Sequence, residues 1–364
     1  MKRNKKLYKN GQFLLVLMLV FVAFSLFTCI SSAETEMREI TVSHQPCFDS
    51  FNTFWAIKQG MMEKNNLKIE MMYFDSGMPQ IEALPAKEWV IGPVGIVPAL
   101  FAVLRMDVYI IAVAHDESGS MSVLARPDSP VFNTKGYNPE YPNLYGDPET
   151  VKGMTALATT ISTSHYTLAR YLDDLGLSES DLKVLNLEQP QAVAAFERGE
   201  GDLVGFFSPY SYIGKAKGWK EVANGSDTGA KSLLAIISPK KWADENTDIV
   251  VDFLDAYFEA QEDLVRQGPA LADEYKKFLM DYSALEISDD NARGDFEDII
   301  FYSLEEHLKN LENGNFEKWT KESADFFYEK GKFTKEDRDK LEELHFGYTD
   351  KFMKLVAKKR GIIE

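Results

Sequence analysis

The sequence predicts an α/β fold made of two similar halves, completed by a helical C-terminal tail. Three observations predict it. Short apolar strands alternate with amphipathic helices from Ile40 to Ile237. A stretch crowded with proline and glycine, residues 127–150, interrupts that rhythm once. After Pro239 the strand patterns stop, and Glu- and Lys-rich helical patterns take over.

In the first half, Ile40-Thr41-Val42 reads as a strand. A helix follows over Phe51 to Lys64, with Phe54, Ile57 and Met61 recurring at spacings of three and four. Leu67 to Met71 alternates as a strand, Pro79 to Ala86 suits a short helix, and Trp89 to Gly92 a strand. Val97 to Leu104 is helical, and Val108 to Ala114 is the continuous apolar run of a strand buried on both faces. In the second half, strands are expected at Met154–Ala158, Leu182–Leu187, Leu203–Phe207 and Leu233–Ile237, with helices at Tyr166–Leu175 and Gln191–Glu197. The tail reads as helices over 248–267, 270–278, 296–311, 316–330 and 335–359. The two halves echo each other weakly. Ala83-Leu84 leads to Val90-Ile91-Gly92, and Ala195-Phe196 leads to Leu203-Val204-Gly205.

The N-terminus carries Lys2, Arg3, Lys5, Lys6 and Lys9 ahead of an apolar run from Phe13 to Phe27. Small residues Ser31 and Ala33 follow at −3 and −1 of a cut after Ala33. That is the pattern of a secretory signal, and the run is shorter than the ~20 residues a spanning helix needs. The sequence therefore predicts export to the periplasm or the outer face of the cytoplasmic membrane. Cys29 is a second possible processing point, by lipid attachment. Loss of residues 1–33 removes five basic residues and no acidic ones. That leaves 35 Lys and Arg against 57 Asp and Glu, a formal charge of −22. Such a charge opposes binding to nucleic acid or anionic lipid, so any anionic ligand must be held by local dipoles. With Cys47 alone left, no intramolecular disulfide or cysteine metal cluster can form, and Cys47 reads as a small buried residue.

Thr159 to Tyr166 follows a strand and opens a helix. It brings five Ser and Thr hydroxyls, the His165 imidazole and the free N–H groups of a helix start together. Ser162, Thr163, Ser164 and His165 are thus candidate contacts for an anion, although N-capping by Ser162 or Ser164 alone would explain one hydroxyl. Gly92 and Gly95 form the matching turn in the first half, where a ligand can approach the backbone. Gln45 and Phe48 after the first strand, His115 at the end of the apolar strand, and Ser208 and Tyr210 complete the candidate set. All lie at the carboxyl ends of strands, where open α/β sheets bind ligands. The sequence holds no G-x-S-x-G elbow, Walker loop, G-x-G-x-x-G or H-E-x-x-H, and its histidines (His44, His115, His165, His307, His345) are scattered.

Glu82-Ala83-Leu84 to Gly92, followed by Gly95-Ile96-Val97-Pro98-Ala99-Leu100, resembles the first-lobe signature of a known family. The family comprises the aliphatic sulfonate, taurine, nitrate and thiamine-precursor binding proteins of ABC importers. Arg126-Pro127-Asp128-Ser129-Pro130 is similar to its first crossover. Val151-Lys152-Gly153 to Ala158, Ser162 to Leu168, Leu175-Gly176-Leu177, Ala195 to Asp202 and Ser208-Pro209 are similar to its second lobe. The chain departs from the family where Lys87-Glu88-Trp89 replaces Gly-Glu-x-Asp, and in the length of 131–150. The resemblance implies a two-lobed type-II periplasmic-binding-protein fold. Lobe one would take residues 34–126 and 235–364, and lobe two residues 127–234. It also implies a non-enzymatic monomer, without cofactor or metal, that passes a small-molecule ligand to an importer's membrane permease. The hydroxyl-rich helix start favours a sulfonate-like organic anion. The aromatics equally suit a flat ring such as a thiamine-precursor pyrimidine, and a biosynthetic enzyme on the same fold is the reading from another class.

Overall fold

The computed structural model describes residues 37–364. The signal sequence and Cys29 lie outside the described residues. In chain order the first half contains β1 (Arg38–His44), α1 (Phe48–Lys58), α2 (Met61–Lys64), β2 (Leu67–Tyr73), α3 (Gly77–Glu82), β3 (Gly92–Gly95), α4 (Ile96–Arg105) and β4 (Val108–Asp116). The second contains β5 (Ser122–Ala125), α5 (Pro148–Val151), β6 (Thr155–Ala158), α6 (Thr163–Asp174), β7 (Lys183–Asn186), α7 (Gln189–Glu197), β8 (Leu203–Phe206), α8 (Tyr210–Ala216) and β9 (Lys220–Asn224). The chain then runs through β10 (Leu233–Pro239), α9 (Lys240–Glu245), α10 (Thr247–Gln267), α11 (Ala272–Ser283), α12 (Asp289–Asp298) and β11 (Ile300–Phe301). It ends in α13 (Leu304–Glu312), α14 (Asn315–Glu329), α15 (Lys335–Glu343) and α16 (Lys351–Lys359).

The strands form two assemblies. In one, β11-β4-β10-β3 is a sheet in which β10 runs antiparallel to both neighbours. The parallel pair β1-β2 joins it through Val90 N to Thr41 O (3.1 Å) and Ser43 N to Ile91 O (2.9 Å). In the other, the order is β7-β6-β8-β5-β9, with β6 parallel to β7 and β8. The strand β5 hydrogen-bonds within this second sheet, between β8 and β9, although it precedes the proline-rich stretch that suggested the boundary. The chain crosses between sheets twice, after β4 and before β10. The crossings run side by side, where Glu117 N donates to Ser232 O (2.9 Å) and Ser232 N to Ser118 Oγ (2.9 Å).

The tail helices cover both assemblies. On the first sheet, Phe253, Leu254, Tyr257 and Leu264 of α10 join Phe51, Trp55 and Ile111 in one buried cluster. In α14, Phe326 and Phe327 pack on Tyr166 of α6 at ring distances of 5.1 and 5.6 Å, and Lys330 pairs with Asp173. Three expected helices divide. Residues 296–311 break at Ile300–Phe301, which pair with the end of β4, and α13 restarts under a capping box of Ser303 and Glu306. Residues 335–359 break where His345 and Phe346 adopt positive φ (51° and 53°). The helix expected over 51–64 divides at Gly60, whose φ of 71° suits a residue with no Cβ.

His307 of α13 is fully buried, and its Nε2 accepts a hydrogen bond from Val113 N of β4 (2.8 Å). Burial lowers its pKa to about 3, so the folded protein holds it neutral. An unfolded chain protonates this histidine below about pH 6.5. The folded state does not, so stability falls as pH falls from about 6.5 towards 3. His307→Gln, which can keep an acceptor there, is expected to reduce the acid slope of unfolding free energy. The reduction is about 1.4 kcal/mol per pH unit in denaturant titrations between pH 4 and 6.

Candidate functional site

A small cavity of about 20 Å³ lies between the two sheets, room for about one water. Gln45, Cys47, Gly77, Gly95, Pro98 and Leu234 line it from the first assembly, Ser162, Thr163 and Phe207 from the second, and Glu117 from the first crossing.

The first wall is a loop held in place by hydrogen bonds. Ser50 Oγ donates to the carbonyls of Gln45 (2.8 Å) and Cys47 (2.7 Å), pinning the turn between β1 and α1. Gln45 Nε2 donates to Gln80 Oε1 (3.0 Å), and Gln80 Nε2 in turn donates to Ser43 Oγ (2.9 Å) and Pro93 O (2.8 Å). This buried amide chain fixes the Gln45 side chain. The Cys47 thiol donates to Asp49 Oδ1 (2.6 Å). Gly95 ends β3, and a Cβ there would lie 2.9 Å from Thr163 Cγ2 on the opposite wall.

The second wall is the start of α6. Ser162 is its N-cap: Oγ accepts from His165 N (3.2 Å), donates to Thr159 O (2.7 Å) and meets Ser164 Oγ at 3.0 Å. The backbone N–H groups of Thr163 and Ser164 have no hydrogen-bond acceptor among the described residues. Two donors at the positive end of a twelve-residue helix therefore remain free, and Thr163 of the two lines the cavity. Just before the helix, Ile161 has φ = 58°, a conformation that strains a β-branched residue. Its N–H donates to His165 Nδ1 (3.2 Å), while His165 Nε2 lies 2.6 Å from Glu179 Oε1. The His165 contact holds the Glu179 carboxyl down at about pKa 2. His165 thus braces the turn that carries the free amides.

Of the residues expected from sequence, Gln45, Gly95, Ser162 and Thr163 line the cavity. The other candidates do not line it. Phe48 is drawn into an aromatic cluster, with rings of Phe296 at 4.7 Å and Tyr275 at 5.2 Å. His115 packs on Phe301 and Phe48, and burial lowers its pKa to about 3. At Gly92 a side chain would collide with Ser43 Oγ. Ser164 is fully buried beneath the cap. Ser208 donates to Asp295, and Tyr210 packs on Phe207. Sequence reasoning missed Gly77, Pro98, Phe207, Leu234 and Glu117. It placed Cys47 correctly as buried but not at the wall.

The electrostatics are acidic. Burial, then the charges of Asp49, Asp116 and Asp295, push the Glu117 carboxyl well above its ordinary value, and burial raises Asp49 to about 7. Neither Lys, Arg nor His lines the cavity.

No family model matches the chain. A Brachyspira hyodysenteriae protein named as an ABC transporter periplasmic binding protein is 26% identical over 325 residues, covering 88% of this chain and 91% of that protein. A Bacillus subtilis protein named as binding aliphatic sulfonates is 25% identical over 255 residues, covering 67% and 72%. The chain is a relative of the ABC-importer solute-binding proteins. The alkanesulfonate-binding protein of Xanthomonas axonopodis pv. citri, solved with MOPS bound, matches with a TM-score of 0.62. It is 20% identical and covers 80% of this chain and 92% of that one, which shows the two-lobed periplasmic-binding-protein fold. These relatives are named as binding proteins. Among the described residues of this chain no helix is long and apolar enough to cross a membrane.

Proposed function

We propose that this solute-binding protein captures a small organic anion of the sulfonate class between its lobes and presents it to an importer's permease. The observation that carries the reading is Thr163 at the cavity wall, where its hydroxyl and its free amide open the start of α6. An anion there accepts charge-assisted hydrogen bonds from neutral donors and a helix end, with no basic side chain needed. The names of the relatives support the same ligand class. The two sheets mark the lobes, and the paired crossings near Glu117 and Ser232 act as the hinge. The protein works outside the cytoplasmic membrane as a monomer.

Thr163→Val removes one hydroxyl without altering the Ser162 cap. Calorimetric titration with ethanesulfonate is expected to show affinity lowered about 10- to 150-fold, the range for a lost bond to a charged group. Undiminished binding by this variant would place the anion elsewhere.

A further inference from the structure

We propose that Gln80 and Gln189 are a matched pair of positioning residues, one in each lobe, and that each sets the spacing of the two loops its lobe turns towards the solute. This rests on the reading of the cavity as the solute site. The two glutamines hold equivalent places. In the first assembly β1 lies between β2 and the approach to β3, and Gln80 sits on α3, in the link from β2 to β3. In the second, β6 lies between β7 and β8, and Gln189 opens α7, the helix that links β7 to β8. Both glutamines are fully buried.

Each side-chain amide makes three hydrogen bonds, and each set spans two loops. Gln80 Nε2 donates to Ser43 Oγ (2.9 Å) near the end of β1 and to Pro93 O (2.8 Å) in β3, and its Oε1 accepts from Gln45 Nε2 (3.0 Å). It thereby ties Gln45 to the strand that ends at Gly95, and both residues line the cavity. Gln189 Nε2 donates to Thr159 Oγ1 (2.8 Å), just past β6, and to Gly205 O (3.4 Å) in β8, and its Oε1 accepts from Phe207 N (3.2 Å). Thr159 O in turn accepts from Ser162 Oγ, the cap of α6 (2.7 Å). Gln189 thereby ties the start of α6 to Phe207, and Ser162, Thr163 and Phe207 all line the cavity. The backbone pairing stops short of these loops. β6 pairs with β8 at Ala156–Leu203 and Leu157–Val204, and β1 meets the approach to β3 at Val42–Ile91. Past those rungs the amides carry the spacing. Methionine has nearly the shape of glutamine but no amide. In its place Gln45 Nε2 and Pro93 O, or Phe207 N, lose a buried partner, and the loops shift to find another.

Calorimetric titration with ethanesulfonate, well below the melting temperatures, compares Gln80→Met and Gln189→Met with Gln261→Met. Gln261 is a buried glutamine that bonds Tyr302 O (2.8 Å) and does not line the cavity. Gln80→Met and Gln189→Met are each expected to weaken binding about 10- to 100-fold, the range for residues that orient ligand-holding groups. Gln261→Met should lower the melting temperature and keep parental affinity. Crystal structures of the solute-free variants should show Gln45, or Thr159 and Phe207, displaced by about 0.5 Å or more, the tolerance of a well-held site. Ser43→Ala and Thr159→Val each remove one acceptor of the same amides and should weaken binding about 2- to 10-fold. They carry the comparison where a methionine variant does not fold. Parental affinity in either lobe's variants, an equal loss in Gln261→Met, or loops left in their parental places overturns the assignment. If the wild type does not bind ethanesulfonate, the oxyanion reading falls, and the loop positions alone decide the assignment.

Discussion

Gly95→Val is expected to lower sulfonate affinity by at least about 100-fold while leaving the fold intact. The Cβ alone would lie 2.9 Å from Thr163 Cγ2, tighter than side chains pack, and valine adds two further methyl groups. Gly95 and Thr163 stand on opposite walls of the cavity, so the clash is relieved by parting the lobes rather than by repacking a core. The backbone is no obstacle, because φ at Gly95 is −56°. The effect should therefore appear in calorimetric affinity, with a melting temperature close to that of the parent. Parental affinity in Gly95→Val would mean that these walls do not close on the solute.

Phe51→Ala is expected to cost about 3–5 kcal/mol of stability, the range for truncating a buried aromatic. Phe51 is fully buried, and its ring meets those of Tyr275 (5.1 Å), Phe278 (5.6 Å) and Phe48 (5.8 Å). It joins the loop that carries Gln45 and Cys47 to the tail helix α11, so its loss should loosen that wall as well. Chemical denaturation measures the cost. Tyr137→Ala, at a ring 53% exposed, serves as the comparison and should change stability by no more than about 0.5 kcal/mol. A Phe51→Ala loss as small as that would contradict the packing described.

The sequence made the strands legible wherever apolar residues ran together between turn signals, as at Val108–Ala114, because burial on both faces leaves a continuous pattern. The start of α6 was legible for a local reason: its hydroxyls, its cap and its preceding strand are neighbours in the chain. The break at 299–303 was also written locally, since Ser303 and Glu306 have capping-box spacing, but the amphipathic pattern ran through it. The break at 345–350 left only Gly347 as a signal, and His345 and Phe346 take left-handed conformations that propensity disfavours.

Glu117 was not legible. Its place in the cavity depends on pairing with Ser232, far along the chain, and no residue pattern around it announces a crossing. The packing of Phe48 was not legible for the opposite reason. A loop aromatic could cover a ligand, but Tyr275 and Phe296 from the tail supply a better apolar surface, and the ring turns into the core.

A sulfonate-class solute held between two lobes should draw them closed around it. Small-angle scattering of the chain during titration with 2-aminoethanesulfonate tests this most directly. The radius of gyration is expected to fall to a plateau at one solute per chain, as two lobes parted in solution close about the hinge. A radius that stays constant through saturation at that stoichiometry, or saturation at a different one, would contradict it.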